Sequence, residues 1–149
     1  MATQRNECNH ATFRLEGYRI VRSGISLKIV GETLQLEKPE KLRIKIDPKG
    51  STLHLEDKRL ILQMNTRVYS DSQEVDIKVS LVAHFSYRTP DGEGSFDSYI
   101  AYNAPAIIFP YVRAYISALT GLSGIAPIIL PTLNMERFGQ NLLRLINGA

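Results

Sequence analysis

The side chains that could do covalent or metal chemistry are few and scattered. The chain has three histidines, His10, His54 and His84, and one cysteine, Cys8. No histidine has a Cys, His or carboxylate neighbour at the spacing of a metal site, so no metal ligand set is expected. No serine occupies a strand-to-helix nucleophile elbow. Gly121-Leu122-Ser123-Gly124 looks superficially like a phosphate loop, but it follows a helical pattern instead of opening one, so no cluster of free N–H groups faces it. It reads as a helix stop and hinge. Asp91-Gly92-Glu93-Gly94 lacks the length of a calcium loop and reads as a turn. The expectation is a protein that is not an enzyme and takes no cofactor. Binding chemistry remains. Arg14, Arg19 and Arg22 lie among Phe13 and Tyr18, and Lys41, Arg43 and Lys45 follow, a set that could make a small basic nucleic-acid-binding module. No RNP-type motif accompanies them.

Composition narrows the class. The 149 residues suit one domain, 1–149, with 1–11 as a mobile polar tail, and the apolar fraction of 44% can build a core. Thirteen Lys and Arg stand against eight Asp and Glu in residues 1–68, and five against seven in 69–149. The basic front half alternates its charges with apolar residues, the pattern of solvent-facing strand positions. No apolar run approaches the roughly 20 residues of a membrane helix. Residues 1–10 lack the apolar stretch of a secretory signal. A single cysteine forms no internal disulfide, so the expected setting is the cytoplasm.

Strands come first along the chain. From Val75 to Tyr87 every second residue is apolar, with Val82 the exception in the opposite phase, which makes a long half-buried strand. Leu60, Leu62, Met64, Thr66 and Val68 share a face before it, and Ser70 to Gln73 supply the turn of an antiparallel hairpin. Leu42, Ile44 and Ile46 alternate similarly until Pro48–Gly50. The first strand begins near Phe13 and changes phase between Leu15 and Tyr18, which predicts a bulge at Gly17. Beyond Thr89 the period becomes helical through Ile108, Tyr111, Val112, Tyr115, Ile116 and Leu119. Asn103 is a candidate cap with Pro105 in the first turn. Pro110 implies either a bend or a start near Phe109, and Gly121 a stop. Asn134 can cap a last helix carrying Met135, Phe138, Leu142, Leu145 and Ile146. The expected fold is α+β: a four-stranded antiparallel sheet meander followed by two helices packed on one face.

The connector between the helices carries the binding physics. Ile125, Ile128, Ile129, Leu130, Leu133, Met135 and Phe138 are too many apolar groups for a solvated linker, and Pro127 and Pro131 hold it extended. Such a segment packs into the core or lines a groove.

Two runs resemble a known family. Ile107-Ile108-Phe109-Pro110-Tyr111-Val112-Arg113 resembles the I-L-F-P-Y-A-R run of the protein-export chaperone SecB. Pro131, Leu133, Asn134 and Met135 resemble the P-x-N-F that ends its Pro-rich connector. Ile25-Ser26-Leu27 is similar to its I-S-F element, and Pro39-Glu40 with Leu42, Ile44, Ile46 and Asp47 to its crossover segment and second strand. The resemblance implies an ATP-independent holdase. Its partners would be unfolded preproteins or other non-native polypeptides, held in apolar grooves. The peptide-binding residues it implies are Leu34, Leu36, Leu42, Ile44, Ile128, Leu130, Met135 and Phe138. It also implies a homotetramer, a dimer of dimers, with Tyr111, Tyr115, Ile116 and Leu119 of the long helix at the oligomer interface. The departures are the missing tryptophan before Pro39, Gly24 and Lys28 in place of acidic residues, and the missing acidic C-terminal extension. They weigh against docking of the translocation ATPase SecA and leave room for a SecB-like chaperone that guards an antitoxin in a toxin–antitoxin system.

Overall fold

Alternation of apolar and polar side chains builds the sheet on which the molecule is organised. The computed structural model describes residues 12–28, 41–88 and 96–148. Two long strands form the centre, β4 (Arg59–Ser70) and β5 (Val75–Arg88). They pair antiparallel with Leu60 opposite Phe85, Met64 opposite Leu81 and Val68 opposite Ile77. Directly opposed residues share a face, so one face is almost fully buried and apolar except at Thr66 and Ser70. Gln73 takes a left-handed φ of 59° in the connecting turn, and its N–H donates to the Ser70 carbonyl at 2.9 Å.

Strand β1 (Thr12–Leu27) pairs with the free edge of β5. It needs two bulges to keep its apolar side chains inward. One falls between Leu15 and Gly17, as the phase change predicts, and the second between Ile20 and Arg22. Each inserts one residue, Glu16 and then Val21, so the inward set runs Phe13, Leu15, then Tyr18, Ile20, then Ile25, Leu27. The other edge of the sheet is shared. β2 (Leu42–Asp47) lies along Asn65–Ser70, and β3 (Thr52–His54) along Arg59–Ile61. Gly50 turns the chain between them at φ 98°.

The fold class is as expected, but the sheet has five strands, not four, and its order β1-β5-β4-β2, with β3 also on β4, is not a simple meander. Three residues are too few for β3 to show a period. β1 crosses to β5 because β2 and β3 already occupy the outer edge of β4.

Helix α1 (Phe96–Leu122) covers the apolar face, and α2 (Glu136–Ile146) packs beside it, touching β2 and β3. The α1 start differs from expectation. Asn103 is interior, its side-chain N–H bonded to the Tyr99 carbonyl at 2.7 Å, and both Pro105 and Pro110 lie within the helix. Ile100, Ala104, Ile108, Val112 and Ile116 form one fully buried row at intervals of four, and that row holds the helix through its prolines. The stop also shifts. Gly121 stays helical, and Gly124, at φ 88°, takes the left-handed position.

Candidate functional site

The apolar connector is set by one buried hydroxyl. Thr120, near the end of α1, donates to the Ile116 carbonyl at 2.8 Å and accepts the N–H of Ile128 at 2.8 Å. That second bond folds the connector back beneath the helix, where Pro127 lies so near Gly121 that a Cβ there would sit 3.3 Å from the proline ring. Asn134 acts at the next boundary. It is not the N-cap, a position held by Met135, but its Oδ1 accepts the Glu136 N–H at 2.9 Å.

Extended geometry then sends three consecutive apolar residues in different directions. Leu130 is buried, Ile128 half-buried, and Ile129 is 70% exposed. β2, which α2 touches, presents Leu42, Ile44 and Ile46, all half-buried and packed against the core. Met135, Leu143 and Ile146 are half-buried in the same way, and Leu145 is exposed. β2, the connector and α2 thus each carry apolar groups whose burial is incomplete.

The structure sorts the expected groove residues. Leu42 and Ile44 of β2, Ile128 of the connector and Met135 at the start of α2 are all half-buried. Leu130 and Phe138 are core groups at 1% and 5% exposure, so they support this surface from beneath. Leu34 and Leu36 lie outside the described residues. Ile129, which the groove set omitted, is the most exposed side chain of the isoleucine pair, and the alternation of an extended connector is the signal that finds it.

A second apolar seam runs where α1 crosses β1. The rings of Tyr111 and Tyr18 meet at a tilt of 33° with centroids 4.5 Å apart, yet remain 40% and 42% exposed. Ile107, one turn before Tyr111, is exposed as well. Tyr115 donates to the Ser23 hydroxyl at 2.7 Å. Of the residues expected at an oligomer interface, Tyr111 is exposed and Tyr115 and Leu119 half-buried, while Ile116 is fully enclosed in the core of the single chain.

The far face of the sheet is polar. Asp76 is held there by two N–H bonds from Arg67 at 3.0 Å, which keep its carboxyl below the ordinary carboxylate range. Among the described residues no cluster of His, Cys, Asp or Glu could hold a metal, and no helix is long and apolar enough to cross a membrane.

No protein-family model matches the chain. An uncharacterized protein of Methanocaldococcus jannaschii is 48% identical over 40 residues, covering 27% of this chain and 26% of that protein, so the match spans about a quarter of the relative's length. A solved structure of the SecB-like chaperone of Mycobacterium tuberculosis, in complex with a ChAD peptide from the HigA1 antitoxin, is similar with a TM-score of 0.56 at 18% identity. The similarity covers 81% of this chain and 87% of that one. A protein of unknown function from Streptococcus agalactiae aligns at a TM-score of 0.42 and 12% identity, over 83% of this chain and 99% of that one. The chain has a SecB-like fold.

Proposed function

We propose that the protein is an ATP-independent holdase that binds non-native polypeptide along the band formed by β2, the connector and α2. The observation that carries this reading is the half-exposed set Leu42, Ile44, Ile128 and Met135 beside the exposed Ile129, on a SecB-like fold. Apolar contact requires no particular client sequence. Each client side chain fully buried there contributes roughly 1.5–3 kcal/mol. Association costs at least about 4 kcal/mol, and ordering an unfolded client costs more. One site with a few anchors therefore binds weakly, and a long client gains by engaging several sites at once. That arithmetic favours an oligomer. We place its interface at the Tyr18–Tyr111 seam and the outer edge of β1, which pairs with no strand among the described residues, with a tetramer as the assembled state and the cytoplasm as its setting.

The client class has one pointer. The M. tuberculosis chaperone of similar fold is seen with an antitoxin peptide, which supports an antitoxin-like client over an exported preprotein. Gly24 and Lys28 point the same way, since they stand where the resemblance expects the acidic residues that dock the translocation ATPase SecA.

A slowly refolding client, followed by intrinsic fluorescence with and without the protein, tests the proposal. Stoichiometric tetramer should slow refolding, and Ile129→Asp should relieve the delay without altering the melting temperature. Unretarded refolding with the unaltered protein would refute the holdase reading. A delay equally strong with Ile129→Asp would move the site elsewhere.

A further inference from the structure

We infer that the open face of the sheet, opposite the helices, docks an acidic polypeptide segment. The cations responsible are far apart in sequence and are collected by strand register. Gly24 opposes Lys78, Lys78 opposes Arg67, and Arg67 opposes Lys45, so three cations stand in one row across β5, β4 and β2. Like charges directly opposed on a sheet disfavour one another, a cost that the row carries. Arg67 is neutralised by Asp76. The others are not. Arg22, Lys45, Lys49 and Lys78 have no carboxylate within ion-pair distance among the described residues. These four border a depression of about 700 Å³.

Its floor is polar and tied down. Asn65 Oδ1 accepts from Gln63 Nε2 at 3.0 Å and from the Ser80 hydroxyl at 2.9 Å, while Asn65 Nδ2 donates to Asp47 Oδ1 and to the Lys49 carbonyl, both at 3.0 Å. The wall is partly apolar. The bulge residue Val21 is 58% exposed, and it also borders an adjoining depression that contains Val82, Arg19 and Arg59. A cationic rim, a fixed polar floor and an apolar wall together fit a peptide that alternates carboxylates with small apolar side chains.

The same observations disfavour other occupants. The same face of a second copy would be equally basic and be repelled. Single-stranded nucleic acid would need a free aromatic platform. Tyr69 offers none, because the Arg67 guanidinium lies 4.3 Å from its ring centroid and the Lys45 ammonium 5.4 Å. Asp47 and Asp76 also interrupt the positive field, which a continuous phosphate backbone would have to cross and separate carboxylates would not.

Fluorescence anisotropy of a labelled oligoglutamate titrated with the full chain tests the assignment, with oligouridylate of matching length and an uncharged Gly-Ser peptide as competitors. Binding should weaken severalfold between about 50 and about 300 mM NaCl. It should weaken at least about tenfold in Lys45→Glu/Lys78→Glu. Arg22→Gln/Lys49→Gln, which adds no negative charge, should weaken it by a smaller factor and serves if the reversal variant does not fold. Ile129→Asp should leave oligoglutamate binding unchanged, which separates this face from the proposed client surface. Tighter binding of oligouridylate, displacement by the uncharged peptide, or full affinity in both charge variants would overturn the assignment.

Discussion

Thr66 is a buried cost of this fold. It sits among the apolar residues of β4, 3% exposed, opposite Val79 and Ile46, and its hydroxyl has no hydrogen-bond partner among the described residues. A hydroxyl left in such a place costs roughly 1–3 kcal/mol. Thr66→Val keeps the branched shape and removes the stranded group, so it should raise stability by about 1 kcal/mol, read as a higher midpoint in urea. A lower midpoint would mean that the hydroxyl has a partner. Asp76 is the opposite case, a polar group placed to advantage. The Arg67 hydrogen bonds lower its carboxyl pKa below the ordinary value. A lowered folded-state pKa contributes stability above the unfolded-state value, and that contribution disappears as pH falls through the folded-state one. Asp76→Asn should therefore cost about 1 kcal/mol near neutrality, with the difference from the unaltered chain closing in acid. Denaturant melts at a series of pH values check the sign.

At the scale of elements, the two helices meet through a glycine and a proline. Pro105 has no N–H to give the Ala101 carbonyl four residues before it. Gly139 of α2 packs over that oxygen: a Cβ there would lie 3.1 Å from it and 2.5 Å from Cδ1 of the Tyr102 ring. Helix propensity alone makes Gly139→Ala a gain of about 1 kcal/mol. Steric displacement of α2 from a backbone atom costs about 1–3 kcal/mol, and this term should win. The expected result is a loss of about 1 kcal/mol with a lower melting temperature; a rise would show that α2 shifts freely. Much of this element was legible in the sequence. Ile108, Val112 and Ile116 mark the buried row, and Ile100 and Ala104 continue it backwards at the same interval. Two prolines and a plausible cap at Asn103 hid that continuation, because local rules place a boundary where tertiary burial of the row overrides it.

At the scale of the whole molecule, the seam between α1 and β1 is left open by its own packing. Tyr18, Tyr111 and Ile107 are between 38% and 42% exposed, along a sheet edge with 16 residues in β1. Long unpaired edges invite another chain. Ile107→Glu, on the outer side of α1, should lower the mass measured by light scattering towards the 16.8 kDa of one protomer, with its circular dichroism unchanged. An unaltered mass would place the contact between subunits elsewhere.

Residue order alone determined the strands whose period is clean, the first bulge in β1, the helical character of the segments on either side of the connector, and the absence of a recognisable catalytic motif. These are properties of spacing, and spacing is local. Only the tertiary structure decided that β1 lies on β5, that β3 exists, and that Leu130 and Phe138 belong to the core while Ile129 does not. The same holds for the cationic row: Lys45, Arg67 and Lys78 come from three strands, and only their register makes them neighbours. Pairing across a sheet joins residues by long-range burial, which no window of the chain contains.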